Sequence, residues 1–432
     1  MRIFGAAVLG IWAACAAAPA AAQDTLAATA AAAELRQMCD HDRGRLWGVD
    51  LCGPLMVVDA QSRRAWTSEP DGLGLFELAG AGWTGTLPAG VTVANTTTEW
   101  AGVRWIQVLA PLPSNAADRR VLLAHEAWHR AQNALGLAAA PSNCAHLEAE
   151  RARVLMRLEF RALGIALRSA NRGRRQAAQE ALMLRAARLS EFAGAAEQEA
   201  ALDRNEGLAA YTGVKLGVTD NPDMYAARLL DRYDRHQALA RSYAYATGPA
   251  YGLLLDDFRP NWRRELGRAA PAELLIETLQ LRSWTPAQLR RASDRYGGAA
   301  VAAEEQARAA EQRVRIAELR QRFEGGPRLE LPLQNMEMEF DPNAVTPLDG
   351  LGNYYSTLVV RDAWGELRAL EGALISSDFR RLVVRAPGPG GMSGPGWTLA
   401  LGPRYHLLGP DVAGIFRIVE IPADAPADVP PT

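Results

Sequence analysis

The sequence predicts an α+β fold with a β-rich N-terminal part, a mainly helical middle and a C-terminal β domain. Short apolar runs between Gly, Pro and Asp turns fill residues 46–112, apolar residues at helical spacing fill residues 145–323, and strand-like alternation returns after Gly325-Gly326-Pro327. A chain of 432 residues, 49% hydrophobic and 22% charged, is typical of a globular protein with two or three domains.

The first 22 residues are typical of a secretory signal peptide. Arg2 precedes an apolar stretch that starts at Ile3, and Ala20-Ala21-Ala22 form a small-residue cleavage site. The mature protein is therefore expected in the periplasm or outside the cell. Trp12 stands where a lipidation signal normally has an aliphatic residue, which argues against a lipid anchor on Cys15. No later segment reaches the roughly 20 consecutive apolar residues that a membrane span needs.

The cysteines indicate the redox environment of the protein, and the net charge bears on its classes of partner. Removal of the signal peptide leaves Cys39, Cys52 and Cys144. In an oxidising compartment Cys39 and Cys52 are the expected disulfide pair, which closes a short loop ahead of the first strands, and Cys144 stays free. The formal net charge of -2 gives no reason to expect nucleic acid or an anionic membrane as a partner.

Residues 23–112 are predicted to form the β-rich part, as an antiparallel sheet. Its clearest strands are Leu55 to Val58 and Val103 to Leu109. The pattern changes at Pro113-Ser114-Asn115, where Asn115 is a candidate N-cap, and apolar residues then follow at helical spacing as far as Gly136.

The helical region is predicted over residues 113–325, and its last helix over Ala299 to Phe323. That helix is rich in Ala, Glu, Gln and Arg and has little apolar seam, which favours a solvated or bridging helix over a coiled coil. Residues 327–432 are predicted to form a separate β domain, because Met336 to Phe340 alternates and Ile415 to Val419 is a further apolar run.

The segment His125-Glu126-Ala127-Trp128-His129 carries the chemistry. On a helix the i, i+4 spacing places both imidazoles on one face, within reach of one metal ion. Zinc suits imidazole and carboxylate ligands, and it lowers the pKa of water bound to it from about 15.7 toward 7. Glu126 stands beside the first ligand without binding the metal, so it is the candidate general base. The segment therefore predicts a catalytic site for one Zn²⁺.

The phrase Asn205-Glu206-Gly207-Leu208-Ala209-Ala210-Tyr211 offers a third ligand. It resembles the Asn-Glu-Gly-Phe-Ala-x-Tyr phrase of the aminopeptidase N family, in which the Glu is the third zinc ligand. The resemblance implies a gluzincin-type site in a zincin-like catalytic region, formed by residues 23–325, with zinc bound by His125, His129 and Glu206. Tyr245-Ala246-Thr247-Gly248 is similar to the Tyr-x-Lys-Gly segment of that family, which implies that Tyr245 stabilises the oxyanion of the reaction.

The chain departs from that family in two places. The stretch between His129 and Glu206 is far longer, which implies a helical insertion. The Gly-x-Met-Glu-Asn segment of the exopeptidases is missing, and residues 94–99, Ala-Asn-Thr-Thr-Thr-Glu, precede the zinc helix instead. This difference favours an endopeptidase or a peptidase of narrow specificity. The strand from Val103 to Leu109 is the candidate for holding an extended peptide by β-augmentation.

Several other polar residues have two interpretations. Glu159 is the rival third ligand, although an acidic residue on so arginine-rich a helix is more often an ion-pair partner. Asp203 and Glu199 share a helical face with Glu206 and are interpreted as surface charges rather than as groups that orient a zinc ligand. Cys144 beside His146 indicates local packing rather than a nucleophile with its base.

The sequence thus predicts a zinc-dependent hydrolase that cleaves peptide bonds in a peptide or protein substrate, with Glu126 as general base. Two alternatives stay open. One is a non-catalytic periplasmic binding or assembly protein on the same scaffold, and the other is a zinc amidase that acts on a cell-wall peptide bond. The oligomeric state is not predicted.

Overall fold

A computed structural model of the chain describes residues 20–140, 142–281, 283–341 and 344–421. Of the signal peptide predicted for residues 1–22, residues 1–19 lie outside the described part of the chain. The fold is α+β, with an N-terminal sheet, a helical middle and C-terminal strands, as the sequence predicts. Contacts divide the chain into one compact unit that ends at Ala303 and a second that starts at Glu304.

The N-terminal sheet has six strands, which are β1 (Leu55–Asp59), β2 (Arg64–Thr67), β3 (Glu77–Ala79), β4 (Gly82–Thr86), β5 (Thr96–Trp100) and β6 (Val103–Ala110). Their spatial order is β3-β4-β2-β1-β6-β5. The predicted wholly antiparallel sheet is wrong at one pair, because β1 and β6 run parallel, with Leu55 opposite Ile106. The long segment between them contains β2 to β5 and returns the chain to the starting end, which a parallel pair requires.

A helix that the sequence analysis did not predict precedes this sheet, within the part predicted to be β-rich. It is α1 (Ala20–Asp42), and it is rich in alanine, the strongest helix former. Its buried residues Ala28, Ala31 and Leu35 belong to the apolar cluster that includes the sheet residue Ile106. The predicted disulfide between Cys39 and Cys52 is present and joins the end of α1 to the segment before β1, with the Cα atoms 5.6 Å apart.

Helices follow the sheet through the rest of the first unit, and the last of them extends into the second. They are α2 (Ala116–Gln132), α3 (Glu150–Arg168), α4 (Asn171–Glu191), α5 (Ala195–Leu202), α6 (Leu208–Gly217), α7 (Pro222–Tyr233), α8 (Leu239–Ser242), α9 (Ala244–Phe258), α10 (Trp262–Glu265), α11 (Pro271–Leu279), α12 (Pro286–Arg295) and α13 (Gly298–Glu324). Within the described ranges, none of the helices has both the length and the apolar character required to cross a membrane.

Helix α2 begins as the sequence predicts. The side chain of Asn115 accepts hydrogen bonds from the backbone N–H groups of Ala117 and Asp118, at 2.9 and 3.1 Å. Leu123, Ala124 and Ala127 are buried in the same apolar cluster as the sheet residues. One face of α2 is therefore fixed against the sheet, while its histidines lie on another face.

Helix α6 packs against α2 at backbone distance, because glycines face the contact. A Cβ atom on Gly213 would lie 2.6 Å from the carbonyl oxygen of Val121, and one on Gly217 would lie 2.6 Å from the Val121 nitrogen. Any larger residue would therefore separate the two helices.

As far as the structure describes it, the second unit contains the larger part of α13 and twelve strands. The strands are β7 (Arg328–Pro332), β8 (Glu337–Phe340), β9 (Val345–Leu348), β10 (Gly352–Tyr355), β11 (Leu358–Asp362), β12 (Gly365–Ala369), β13 (Ala373–Ser376), β14 (Arg381–Arg385), β15 (Ser393–Gly394), β16 (Trp397–Leu401), β17 (Tyr405–Leu408) and β18 (Ile415–Glu420). They form a seven-stranded and a five-stranded sheet. Leu319 and Phe323 of α13 pack with Leu348 and Tyr354, so the end of that helix belongs to this unit.

We expect the disulfide to contribute substantially to the stability of the first unit. The two cysteines are 13 residues apart, and closing a loop of about 15 residues stabilises a fold by roughly 3 kcal/mol. The double variant Cys39→Ser/Cys52→Ser should lose about this free energy of unfolding in urea denaturation. Chemical reduction of the wild type should give the same loss, and a loss below about 1 kcal/mol would contradict the expectation.

Candidate metal centre

Three nitrogen and oxygen atoms from two separate helical segments meet beside the N-terminal sheet. The Nε2 atoms of His125 and His129 on α2 are 3.1 Å apart. The Oε2 atom of Glu206 lies 3.3 Å from the first of these nitrogens and 3.6 Å from the second. The structure thus brings together the three residues that the sequence suggests as metal ligands.

The donor set and its spacing fit a zinc ion. Zinc is commonly held by imidazole nitrogens and a carboxylate, and with bonds of about 2.0–2.2 Å the donors of a tetrahedral site lie about 3.4 Å apart. The three distances between the donor atoms bracket that value. A second group of potential donors in the described residues, Cys39, Asp50 and Cys52, has both of its sulfur atoms joined in the disulfide.

Glu206 lies on an irregular turn between α5 and α6. Residues Asp203–Gly207 form a π-helical turn, in which an extra residue is accommodated within an otherwise continuous helix. Such turns displace side chains from their α-helical positions and are frequent at functional sites. Here the turn directs the Glu206 carboxylate toward α2.

The π-helical turn is in backbone contact with α9. A Cβ atom on Gly248 would lie 2.2 Å from the carbonyl oxygen of Gly207 and 2.4 Å from its Cα atom. These two glycines belong to the two phrases that the sequence analysis singled out around Glu206 and Tyr245. Their lack of side chains lets the two segments approach, and this contact brings Tyr245 to the site.

Tyr245 stacks on the first histidine. The rings of Tyr245 and His125 are 5.4 Å apart with an angle of 14° between their planes. Burial raises the pKa of the Tyr245 hydroxyl far above its usual range, and the charge of Glu206 and a hydrogen bond with it raise the pKa further. The hydroxyl is therefore protonated at neutral pH and can donate a hydrogen bond beside the three candidate ligands.

Two amide side chains, whose role the sequence analysis missed, connect two of the candidate ligands. The Nδ1 atom of His129 is 2.9 Å from the Oε1 atom of Gln132, so a protonated Nδ1 donates to that oxygen. Gln132 donates to Asn205 at 3.0 Å, and Asn205 donates to Glu206 at 2.9 Å. An Nδ1–H donor leaves Nε2 of His129 free to bind a metal. The only sequence signal for Gln132 is its position one helical turn after His129.

Glu126 is buried beside the three candidate ligands. Glu126 is only 4% exposed, and its Oε2 atom has no hydrogen-bond partner among the described residues. Burial raises the pKa of Glu126, while the nearby His125 and His129 oppose the rise. A buried carboxylate with a raised pKa and an oxygen that has no partner among the described residues is suited to exchange protons with a group that enters the site.

The three candidate ligands influence one another as close ionic partners. Burial alone would raise the pKa of Glu206, but hydrogen bonds with His125 and His129 outweigh it and hold that pKa well below its usual range. Burial would also lower the pKa of His129, and the hydrogen bond with Glu206 and its charge reverse this effect. The carboxylate is therefore ionised, which is the form that binds a cation.

The site lines a cleft of about 770 Å³. Thr96 and Thr97 of β5 form part of its wall, and Tyr225 and Leu229 of α7 form another part. The sequence predicts that the strand from Val103 to Leu109 holds a peptide by β-augmentation. This prediction is wrong, because that strand is β6, which is paired on both sides, with β1 and with β5. The edge strands of this sheet are β3 and β5, and β5 is the edge strand beside β6.

The rival ligand Glu159 belongs to a different part of the first unit. It is fully buried, its Oε2 atom is 2.6 Å from Arg188, and it accepts a hydrogen bond from Tyr251 at 2.6 Å.

Glu199 and Asp203 lie in the same buried group, so the prediction that they are surface charges is wrong. The pattern misleads because buried and exposed carboxylates have the same spacing on an arginine-rich helix. His146 bonds to Glu199 at 2.8 Å, and Cys144 is buried and free.

We expect Gly248→Ala to destabilise the protein and to disturb the site. The added methyl group would overlap the backbone of Gly207, and overpacking a tight contact costs about 1–3 kcal/mol. Urea denaturation measures the loss. Gly90→Ala is the matched control, because nothing lies within 4 Å of a Cβ atom there, and it should leave the free energy of unfolding nearly unchanged. Equal stability of the two variants would contradict this expectation.

Comparison of the chain with protein-family models, with curated proteins and with solved structures finds no match. The resemblance to the aminopeptidase N family therefore rests on short segments of this sequence. These are the His-Glu-x-x-His segment and the phrases around Glu206 and Tyr245.

Proposed function

We propose that this protein is a zinc-dependent peptide-bond hydrolase with a zincin-like catalytic region of the gluzincin type. The observation that carries the proposal is the placement of Glu126. This carboxylate is buried, has one oxygen without a partner among the described residues, and stands next to three clustered metal-ligating groups in a cleft. A site that only binds a structural metal has no use for such a base.

Each residue of the site is assigned its own role in hydrolysis. His125, His129 and Glu206 would hold one zinc ion, which supplies Lewis-acid activation and a water of lowered pKa. Glu126 takes a proton from the attacking water and delivers it to the leaving amine. Its raised pKa suits both steps, because a group with a pKa closer to neutrality exchanges protons in either direction.

Tyr245 is assigned to stabilise charge on the substrate. Its hydroxyl stays protonated because burial and the charge of Glu206 raise its pKa. A protonated hydroxyl can donate a hydrogen bond to the oxyanion that forms when the peptide carbonyl is attacked. Its ring stacks on His125, which holds the donor at the metal side of the cleft.

The substrate is expected to bind as an extended peptide along β5. An edge strand has backbone N–H and C=O groups available for a further strand, and Thr96 and Thr97 of β5 line the cleft. The segment that precedes this strand lacks the amino-terminus-binding sequence of exopeptidases, which favours endopeptidase activity or narrow specificity. The disulfide between Cys39 and Cys52 supports export to an oxidising compartment.

Zinc content is the first test of the proposal. Purified wild-type protein should hold one zinc per chain, and Glu206→Gln should weaken zinc binding by more than about 100-fold, since even outer partners of a ligand contribute 10–100-fold. Glu159→Gln is the matched control and should bind zinc as the wild type does, because Glu159 is bonded to Arg188 and Tyr251. Zinc loss in Glu159→Gln alone would reassign the third ligand, and absence of zinc from reconstituted wild type would refute the proposal.

Hydrolysis is the second test. Glu126→Gln should keep its zinc and lose about 10²–10⁴-fold in peptide hydrolysis, because the amide cannot accept the proton. Unstructured protein substrates and cell-wall peptide fragments should be assayed in parallel. Cleavage of the cell-wall fragments alone would identify an amidase. A wild-type protein that binds zinc but cleaves neither substrate would favour the non-catalytic binding protein.

A further inference from the structure

A group of charged side chains is buried among the helices of the first unit. We call it the ionic cluster, and its members are Arg185 and Arg188 of α4, Glu159 of α3, Glu199 of α5 and Asp203 of the π-helical turn. Each of these residues is at most 3% exposed. The proposed mechanism uses none of them.

The members are joined by short contacts. Arg188 donates from Nε and Nη2 to the two oxygens of Glu199, at 2.7 and 2.8 Å, and its Nη1 atom lies 2.6 Å from Glu159. Arg185 donates from Nη2 to Asp203 Oδ2 at 2.6 Å, and its Nη1 atom is 3.5 Å from Glu159. The cluster therefore connects α3, α4 and α5 to the first residue of the π-helical turn.

Stability alone is a weak reason for such a cluster. Removing five charged groups from water costs several kcal/mol for each ion, and well-packed apolar residues often stabilise a core equally well. Buried ionic groups are better suited to fix one arrangement among several, because their partners and geometry are specific. The segment with most need of such fixing here is the π-helical turn, since its geometry departs from that of the helices on either side.

The π-helical turn is held from two sides. Arg185 holds its first residue, Asp203, from the protein interior. Gln132 of α2 holds Asn205 from the side of the metal site, at 3.0 Å. Glu206 follows directly after Asn205, so the direction of its carboxylate depends on both attachments.

We propose that the ion pair between Arg185 and Asp203 is a positioning pair that sets the Glu206 carboxylate for metal binding. The inference rests on the proposed zinc site. It assigns to Asp203 and Arg185 an effect on zinc affinity, although neither is one of the three clustered donors. It also distinguishes Asp203 from Glu159, which belongs to the same cluster but lies on α3.

The test compares Asp203→Asn with Glu159→Gln by titrating zinc against a competing chelator. Both variants remove one negative charge from the ionic cluster and keep the size of the side chain. Asp203→Asn should weaken zinc binding by about 10–100-fold, the range for groups that orient a ligand. Glu159→Gln should unfold at lower urea concentration and still bind zinc with wild-type affinity.

Cobalt substitution gives a readout that a loss of stability does not produce. The visible absorption of Co²⁺ reports the ligand geometry, so folded Asp203→Asn should show a shifted or weakened spectrum and Glu159→Gln a wild-type one. Arg185→Lys keeps the positive charge but lacks the forked donor, so it should weaken zinc binding by less than Asp203→Asn does. It also tests the proposal if Asp203→Asn does not fold.

The outcomes separate the two proposals. Wild-type affinity in both Asp203→Asn and Arg185→Lys would overturn the positioning role and leave the zinc site standing. Equal losses of affinity in Asp203→Asn and Glu159→Gln would also overturn it, because the effect would then be a general one of the cluster. A wild-type protein without zinc affinity would refute the proposed function and this inference together.

Discussion

The backbone contact between Gly207 and Gly248 is the constraint on which the rest of the site depends. It sets the separation of the π-helical turn and α9 with no side chain between them. Glu206 comes directly before one glycine, and Tyr245 comes three residues before the other. A contact between two backbones is insensitive to rotamer changes, so it fixes the relative positions of a ligand and a hydrogen-bond donor more firmly than a contact between flexible side chains.

Glycines also bring the next helix, α6, into backbone contact with α2. Gly213 and Gly217 of α6 face Val121 of α2 at backbone distance, on the helix that carries both histidines. Three segments are thus joined through glycines, and each of them contributes part of the site. This arrangement gives the glycine of the Asn-Glu-Gly phrase a packing role that is separate from the chemistry of its neighbour Glu206.

The sequence predicts those parts of the site that local spacing determines. The i, i+4 histidines, the N-cap Asn115 and the strands around Val57 and Ile106 follow from periodicity and turn residues within a few positions. It fails where partners come from distant segments. Glu199 and Arg188 meet from different helices, and a charge that is buried by such a partner has the same local pattern as a solvated one. The parallel pairing of β1 and β6 likewise depends on the path of the chain between them.

The environment of Cys144 has a consequence for how the disulfide is maintained. Burial and the charges of Glu199 and Asp203 raise the pKa of its thiol to about 12. Thiol–disulfide exchange proceeds through the thiolate, which is therefore nearly absent at neutral pH in the folded protein. Cys144 is the free cysteine of the described chain, and it cannot readily attack the bond between Cys39 and Cys52 once the fold has formed. Burial of this thiol, with the charges of Glu199 and Asp203, thus protects the native cysteine pairing against reshuffling.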